Sequence, residues 1–191
     1  FEISGVRSLT LAGALGSAGA LTVGSGSTLS SPGFVTQFNG STNLNGTLST
    51  PTLFVADGLL SGAGTLAGNL DCDGDFNPGN SPGLFTVDGD ANFRPSSLVI
   101  AEIGGLVRGI DHDAIDILGG LSFEFGASGT FQVELLPSYV ASVGDEFYVI
   151  RYTERQGQFQ NVILPGLPGG LSFEFFYDVP SPTPGDPSRF V

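Results

Sequence analysis

The sequence contains no lysine, no methionine and no tryptophan, and it has one cysteine, Cys72, and one histidine, His112. A single cysteine excludes an intrachain disulfide and a cysteine-rich metal site. The net charge of −13 argues against nucleic acids and anionic membranes as partners. No apolar run approaches the ~18 residues of a membrane-spanning helix, so we expect no membrane insertion.

A repeat runs through the first part of the chain. The dipeptide Thr-Leu recurs at residues 10–11, 28–29, 47–48 and 65–66, and Leu84 follows 19 residues after Thr65. Apolar residues alternate briefly within each unit, which is the period of a strand, and glycines interrupt the pattern too often for helices. A fixed period of short strands is typical of stacked rungs. The sequence therefore predicts an all-β fold that begins with a short parallel β-solenoid, about four rungs of 18–19 residues over residues 1–83. Chance recurrence in a chain rich in threonine and leucine is the alternative.

The pattern changes at about Leu84, where longer and more aromatic alternating runs begin. Turn residues separate these runs by the spacing of a sandwich, so we predict an antiparallel β-sandwich-like capping domain over residues 84–179. The heptapeptide GGLSFEF occurs twice, at residues 119–125 and 169–175, and this duplication predicts equivalent strands in one sheet. Four prolines predict an extended tail over residues 180–191.

Two stretches of the sequence carry a family resemblance. The runs GAGTLAGNLDCDGDFNPGNSPGLFTVDGD (62–90) and LVIAEIGGLVRGIDHDAIDILGG (98–120), with GDEFYVI at 144–150, resemble secreted bacterial proteins with autotransporter-associated β-strand repeats. The resemblance covers roughly residues 62–179 and rests on turns and strands. It implies a parallel β-solenoid that continues into a β-rich C-terminal segment on an exported surface protein, and it implies little about activity.

Two motifs suggest chemistry, but neither is complete. Asp71, Asp73 and Asp75 alternate as in a calcium loop and remain weak calcium candidates, because Phe76 and Pro82 occupy the positions that such a loop gives to glycine and glutamate. Asp111, Asp113 and Asp116 lie near the turn before a strand, and they are equally weak as calcium ligands. The G-x-S-x-G string at residues 79–83 lacks the backbone N–H of an oxyanion hole, because proline follows the serine.

The near end of the predicted solenoid has no charged cap. Its sequence, FEISGVRSLTL, carries only Glu2 and Arg7, and lysine, which commonly blocks strand edges, is absent. An open edge predicts strand pairing with another copy, and a head-to-tail contact propagates into a filament unless it closes into a ring. The residues predicted to take part are Phe1, Ile3, Val6, Leu9, Leu11, Phe190 and Val191.

These features predict a non-enzymatic structural subunit of an extracellular or cell-surface bacterial filament, sheath or matrix fibre, forming a homo-oligomer or homopolymer without a cofactor. The alternative is a secreted adhesin or glycan-binding module whose polar rows contact a surface polysaccharide. A polysaccharide-degrading enzyme on a β-helix is disfavoured, because such enzymes usually carry basic or histidine-rich clefts.

Overall fold

The computed structural model describes residues 1–182 and 188–190 and confirms the all-β prediction. In those residues the helical structure is limited to the 3₁₀ turn Pro168–Gly170, and no helix has the length and hydrophobicity needed to cross a bilayer. The strands are, in chain order, β1 (Glu2–Ile3), β2 (Ser8–Thr10), β3 (Leu15–Ser17), β4 (Ala20–Val23), β5 (Thr28–Ser30), β6 (Val35–Gln37), β7 (Ser41–Leu44), β8 (Thr47–Val55), β9 (Leu59–Gly62), β10 (Thr65–Cys72), β11 (Asp75–Pro78), β12 (Leu84–Val87), β13 (Ala91–Phe93), β14 (Leu98–Ile103), β15 (Ala114–Ile117), β16 (Gly120–Leu135), β17 (Ile150–Tyr152), β18 (Glu154–Ile163), β19 (Val179–Pro180) and β20 (Arg189–Phe190).

Hydrogen bonds join these strands into one curled sheet whose strands are mostly parallel. Three series of neighbours run through it. The first is β2–β5–β8–β10–β12–β15–β17, the second is β3–β6–β8–β10–β13–β16–β18, and the third is β1–β4–β7–β9–β11–β14–β16–β18. The long strands β8, β10, β16 and β18 each belong to two series. One pass of the chain through the three series is called a layer below.

The register confirms part of the predicted repeat. Thr28 pairs with Thr47, and Thr47 pairs with Thr65. The flanking units are displaced by two residues, since Thr28 pairs with Ser8 rather than Thr10, and Thr65 pairs with Thr86 rather than Leu84. A shift of two residues keeps the same side chains on the inner face, so the alternation of apolar residues cannot reveal it.

The structure does not confirm the antiparallel sandwich predicted for residues 84–179. Parallel pairing continues across residue 83, from β10 to β12 and β13, and on through β14, β15, β16 and β18. Among the described strands, only β17 with β20 and β19 with β20 form antiparallel ladders. The later layers are longer because loops such as residues 104–113 and 136–149 lie between their strands. Period-two alternation gives the face of a strand and not its direction, which explains the error.

One apolar core runs along the inside of the curled sheet. Leu29, Leu48 and Leu66 are fully buried and stack in register. In later layers phenylalanine is common in the core, and the rings of Phe123 and Phe159 meet edge to face with centroids 4.7 Å apart. Larger side chains therefore fill the core toward the C-terminal end.

Gly68 forms the bend within β10 where the strand passes from the first series to the second. Its φ of +151° belongs to a region that side chains avoid, and a Cβ atom there would lie 1.8 Å from the carbonyl oxygen of Thr50. The partner strand is also displaced at this point, since the register shifts between Ala67 and Asn69. Only glycine permits this close approach of two layers.

Candidate functional site

The first layer of the sheet has free strand edges. β1, β2 and β3 pair with β4, β5 and β6 respectively, and no described strand lies on their other side. In a parallel sheet such an edge leaves N–H and C=O groups directed away from the existing partner. The edge is therefore competent to pair with a further strand.

Most of the residues predicted for self-assembly lie in this layer, and they differ in exposure. Ile3 is buried, Leu11 is partly buried against the core, and three others are exposed, namely Phe1 (61%), Val6 (85%) and Leu9 (37%). Leu9 pairs in register with Leu29, which is fully buried. The first layer thus exposes apolar side chains of a kind that the next layer buries.

The opposite end of the sheet is partly covered by its own chain. β20 pairs antiparallel with β17 and with β19, and this strand contains the predicted residue Phe190; Val191 lies outside the described residues. The neighbouring strand β18 pairs with β16 on one side, and no described strand pairs with its other edge. The two ends of the sheet therefore differ in how far their edges are covered.

Residues 171–178 cross the C-terminal end of the core. The ring of Phe175 lies 5.3 Å from that of Phe131, and the hydroxyl of Tyr177 accepts the backbone N–H of Phe159 at 2.9 Å. The guanidinium of Arg155 lies over the ring of Tyr177 and pairs with Asp178 at 2.6 Å. These contacts hold an aromatic cover over the last layers.

The structure places the calcium candidates Asp71, Asp73 and Asp75 in separate environments. Both carboxylate oxygens of Asp71 accept hydrogen bonds from Arg94, one from Nε at 2.5 Å and the other from Nη2 at 2.7 Å. Asp73 accepts the backbone N–H of Ser96 at 2.9 Å, and Asp75 is exposed at the start of β11. Within the described residues no three acidic, histidine or cysteine side chains converge on a point where a metal would sit.

An exposed aromatic patch lies on the outer face of the second series, next to Asp71. Phe34 and Phe38 are 52% and 59% exposed, and Phe34 meets Phe54 edge to face at 5.4 Å. A shallow groove of about 230 Å³ adjoins this patch and is lined by Phe54 together with Asp71 and Arg94. The patch combines apolar ring faces with planar charged groups, which is the composition of a small polar-ligand site.

The loop of residues 104–113 carries a buried aspartate, Asp113, and a buried histidine, His112. Asp113 is 1% exposed, and its two oxygens accept the backbone N–H groups of Gly83 at 2.8 Å and Glu102 at 2.9 Å. Burial raises the pKa of Asp113 to about 6 despite these two bonds. Burial also lowers the pKa of His112, whose Nδ1 lies 3.1 Å from the oxygen of Gly105.

Arg108 fastens this loop to the next layer. Its Nε donates to the oxygen of Tyr148 at 2.6 Å, Nη2 donates to that of Ile115 at 2.9 Å, and Nη1 pairs with Asp116 at 2.8 Å. Together with Asp113, Arg108 joins residues that are 30 to 40 positions apart in the chain. The polar groups of this cluster bond chiefly to the backbone, which is the pattern of a structural clamp.

Of the G-x-S-x-G string, Ser81 is exposed in a bend with φ +62°, and the Ser81–Pro82 peptide bond is cis. His112, the chain's single histidine, is buried, and its ring meets that of Phe147 edge to face at 5.4 Å. The structure brings Asp113 to the backbone of this string, since its carboxylate accepts from Gly83, and it records no hydrogen bond between Ser81 and His112. The backbone of this string thus anchors the buried carboxylate of Asp113.

A cavity of about 630 Å³ opens at the C-terminal end, and no motif in the sequence indicates it. Its walls come from β14 and β16, from residues 141–149 and from residues 164–179. The second GGLSFEF copy lies here outside any ladder, whereas the first forms part of β16 and pairs with β13 and β18. Pro165 and Pro168, which precede only the second copy, are the signal in the sequence that separates the two.

Comparisons with known proteins identify no relative of this chain. No family model matches it, and the searches of the curated proteins and of the solved structures found no match. The resemblance to autotransporter-associated β-strand repeats therefore stays a prediction.

Proposed function

We propose that this chain is a non-enzymatic structural subunit of an extracellular bacterial filament, sheath or matrix fibre. Subunits associate head to tail by strand pairing, and the curled parallel sheet is a three-sided β-solenoid of the kind found in autotransporter-associated repeats. The composition supports an exterior location, since the chain has one cysteine and no lysine and is rich in glycine.

The observation that carries the proposal is the first layer. Three consecutive strands, β1, β2 and β3, present free edges on the same side of the sheet. Exposed apolar side chains lie beside these edges. Leu9 is one of them, and its register partner in the next layer, Leu29, is fully buried. A partner strand would satisfy the backbone groups and remove apolar surface from water in one contact.

Charge favours a head-to-tail over a head-to-head arrangement. Between residues 3 and 56 the only charged side chain is Arg7, whereas 18 of the 19 acids lie beyond residue 56. Two acidic C-terminal ends repel each other, while an acidic end and an end bearing Arg7 do not. Repeated contacts of the second kind produce a linear polymer.

Sedimentation velocity and negative-stain electron microscopy test the proposal directly. Purified chain is expected to show regular filaments or a concentration-dependent ladder of oligomers, and Leu9→Asp is expected to keep the β-sheet circular dichroism spectrum while losing the assemblies. Leu118→Asp changes a residue of similar exposure (47%) outside the first layer and is the matched control. A wild-type chain that stays monomeric at high concentration overturns the proposal.

A second candidate function, glycan binding, rests on the outer patch of Phe34, Phe38 and Phe54. Aromatic faces contact the C–H surfaces of sugar rings, and the adjoining Asp71–Arg94 pair offers both acceptors and donors. Phe38 lies over Gly16, where a Cβ atom would meet the ring at 2.9 Å. Saturable binding on a glycan array that is lost in Phe34→Ala, without loss of assembly, would favour this function.

A further inference from the structure

The cavity at the C-terminal end lies between two segments that belong to no described strand, residues 145–149 and 171–176. The second begins at Leu171, whose backbone is extended. Apolar side chains from these segments and the sheet form much of the wall, including Phe131, Phe147, Phe173 and Phe175, and the volume of about 630 Å³ is within the usual range for a binding cavity.

Residues 171–176 have the pattern of a strand that lacks partners. Burial alternates strictly along the segment, with Leu171, Phe173 and Phe175 half-buried and Ser172, Glu174 and Phe176 exposed. No backbone hydrogen bond is recorded for residues 172–176 within the described part of the chain. An extended, alternating segment with free backbone groups is the receptor geometry of strand addition.

The charge of the cavity selects its occupant. Asp145, Glu146 and Glu174 contribute to the wall, and none of the described lining residues is basic. Within the described residues, ion pairs with acids are formed by Arg94, Arg108, Arg151 and Arg155. The charge of Arg189 helps to lower the pKa of Asp178. Arg7 forms no ion pair in this part of the chain, is exposed, and lies between β1 and β2 among exposed apolar side chains.

The geometry points to this cavity as the receptor for the first layer of a second copy. Strand β2 of one subunit pairs with residues 171–176 of the next, Leu9 and the neighbouring Val6 enter the apolar cavity, and Arg7 meets Glu174 at its rim. This inference rests on the proposed self-association and adds the surface that receives the free edge. Strand pairing gives the affinity, and the single positive charge sets the register.

Thiol crosslinking tests the placement. Val6→Cys and Val143→Cys, both at exposed positions (85% and 87%) and the latter on the cavity wall, are mixed and treated with a short bis-maleimide. Cys72 does not compete, because burial raises the pKa of its thiol to about 12. The mixture is expected to give a heterodimer on a denaturing gel, while Val6→Cys mixed with Phe125→Cys, an equally exposed position away from the cavity (88%), is expected to give none. Equal crosslinking in both mixtures overturns the inference.

A charge exchange separates this inference from the proposed function. Arg7→Glu and Glu174→Arg are each expected to weaken association at least about tenfold, because each places like charges together, and the double variant is expected to restore it. If Arg7→Glu weakens association while Glu174→Arg has no effect and the double variant stays weak, the first layer associates elsewhere; the inference then fails and the proposed function stands. If the wild-type chain does not associate at all, both fail.

Discussion

The buried carboxyl of Asp113 should make stability fall as pH rises. Its side chain is 1% exposed, and its pKa is raised from the ordinary 3.8 to about 6. A group with a raised pKa in the folded state binds more protons there than in the unfolded state between pH 4 and 6. Its stabilising contribution is complete below the unfolded pKa and is lost as pH rises through about 6.

The magnitude follows from the size of the shift. A difference of about two pKa units corresponds to roughly 3 kcal/mol of unfolding free energy. Asp113→Asn removes the titratable group and keeps one oxygen that can accept from Gly83 or Glu102. The NH₂ group of the asparagine then faces the other backbone N–H, and the loss of that hydrogen bond costs about 1–3 kcal/mol of unfolding free energy. The Asn variant is therefore expected to be the less stable protein at pH 4 and to lose this disadvantage by pH 7.5.

Urea unfolding of both proteins at several pH values measures this difference. The unfolding free energy of wild type minus that of Asp113→Asn should fall by roughly 2.5 kcal/mol between pH 4 and pH 7.5, because part of the total is already lost below pH 4. Asp88→Asn, which removes a carboxyl group from an exposed turn, controls for the change in net charge. A difference that rises with pH would refute the reasoning, because it would mean that the two backbone hydrogen bonds outweigh the cost of burying the charge.

Four further predictions concern the core, the bend and the candidate sites. Leu48→Ala should lower the unfolding free energy by about 2–5 kcal/mol, whereas Leu9→Ala at the half-open first layer should lower that of the monomer by less, as measured by urea titration at low protein concentration. Gly68→Ala should cost more than the ~1–3 kcal/mol of its backbone conformation, because its Cβ would also meet Thr50, and this is checked by the melting temperature. Calcium or chelator should leave the melting temperature unchanged, because Arg94 occupies both oxygens of Asp71; a calcium-dependent rise would contradict this. Cys72 should resist maleimide in the folded protein at pH 8 and react once urea unfolds it, as followed by mass spectrometry.

Alternation in the sequence was sufficient to find the inner face of the sheet. The alternating pairs Leu21/Val23 and Leu53/Val55 are all buried, and so is Cys72, which the same pattern assigns to the core. It was insufficient to find strand direction, because parallel and antiparallel strands share a period of two. The predicted sandwich is not confirmed for this reason, and the two-residue displacements of the units at Thr10 and at Leu84 stay hidden in the pattern for a related one.

The candidate sites were harder to predict, because they depend on contacts between distant residues. In the sequence Asp113 is only one of several closely spaced acids, yet its side chain lies buried against the backbone of Gly83, thirty residues away. Identical sequences also have different environments, since the first GGLSFEF copy has strand partners on both sides and the second has none among the described strands. Local pattern specifies that a segment can form a strand, and only the tertiary structure decides whether a partner is present.

The uneven distribution of charge along the chain makes the two ends of the sheet electrostatically different. The early layers are nearly neutral and pack leucine, whereas the later layers contain most acids and hold the arginines in ion pairs. A neutral, apolar free edge at one end and an acidic, aromatic cavity at the other are complementary to each other and not to themselves. Because exposed charges are screened within about 10 Å at 0.1 M salt, this polarity would act only at contact distance in the assembly that we propose, where it would select orientation after the apolar surfaces have met. Strand pairing and burial then determine how long the contact lasts, so salt should alter the rate of association more than the lifetime of the assembly.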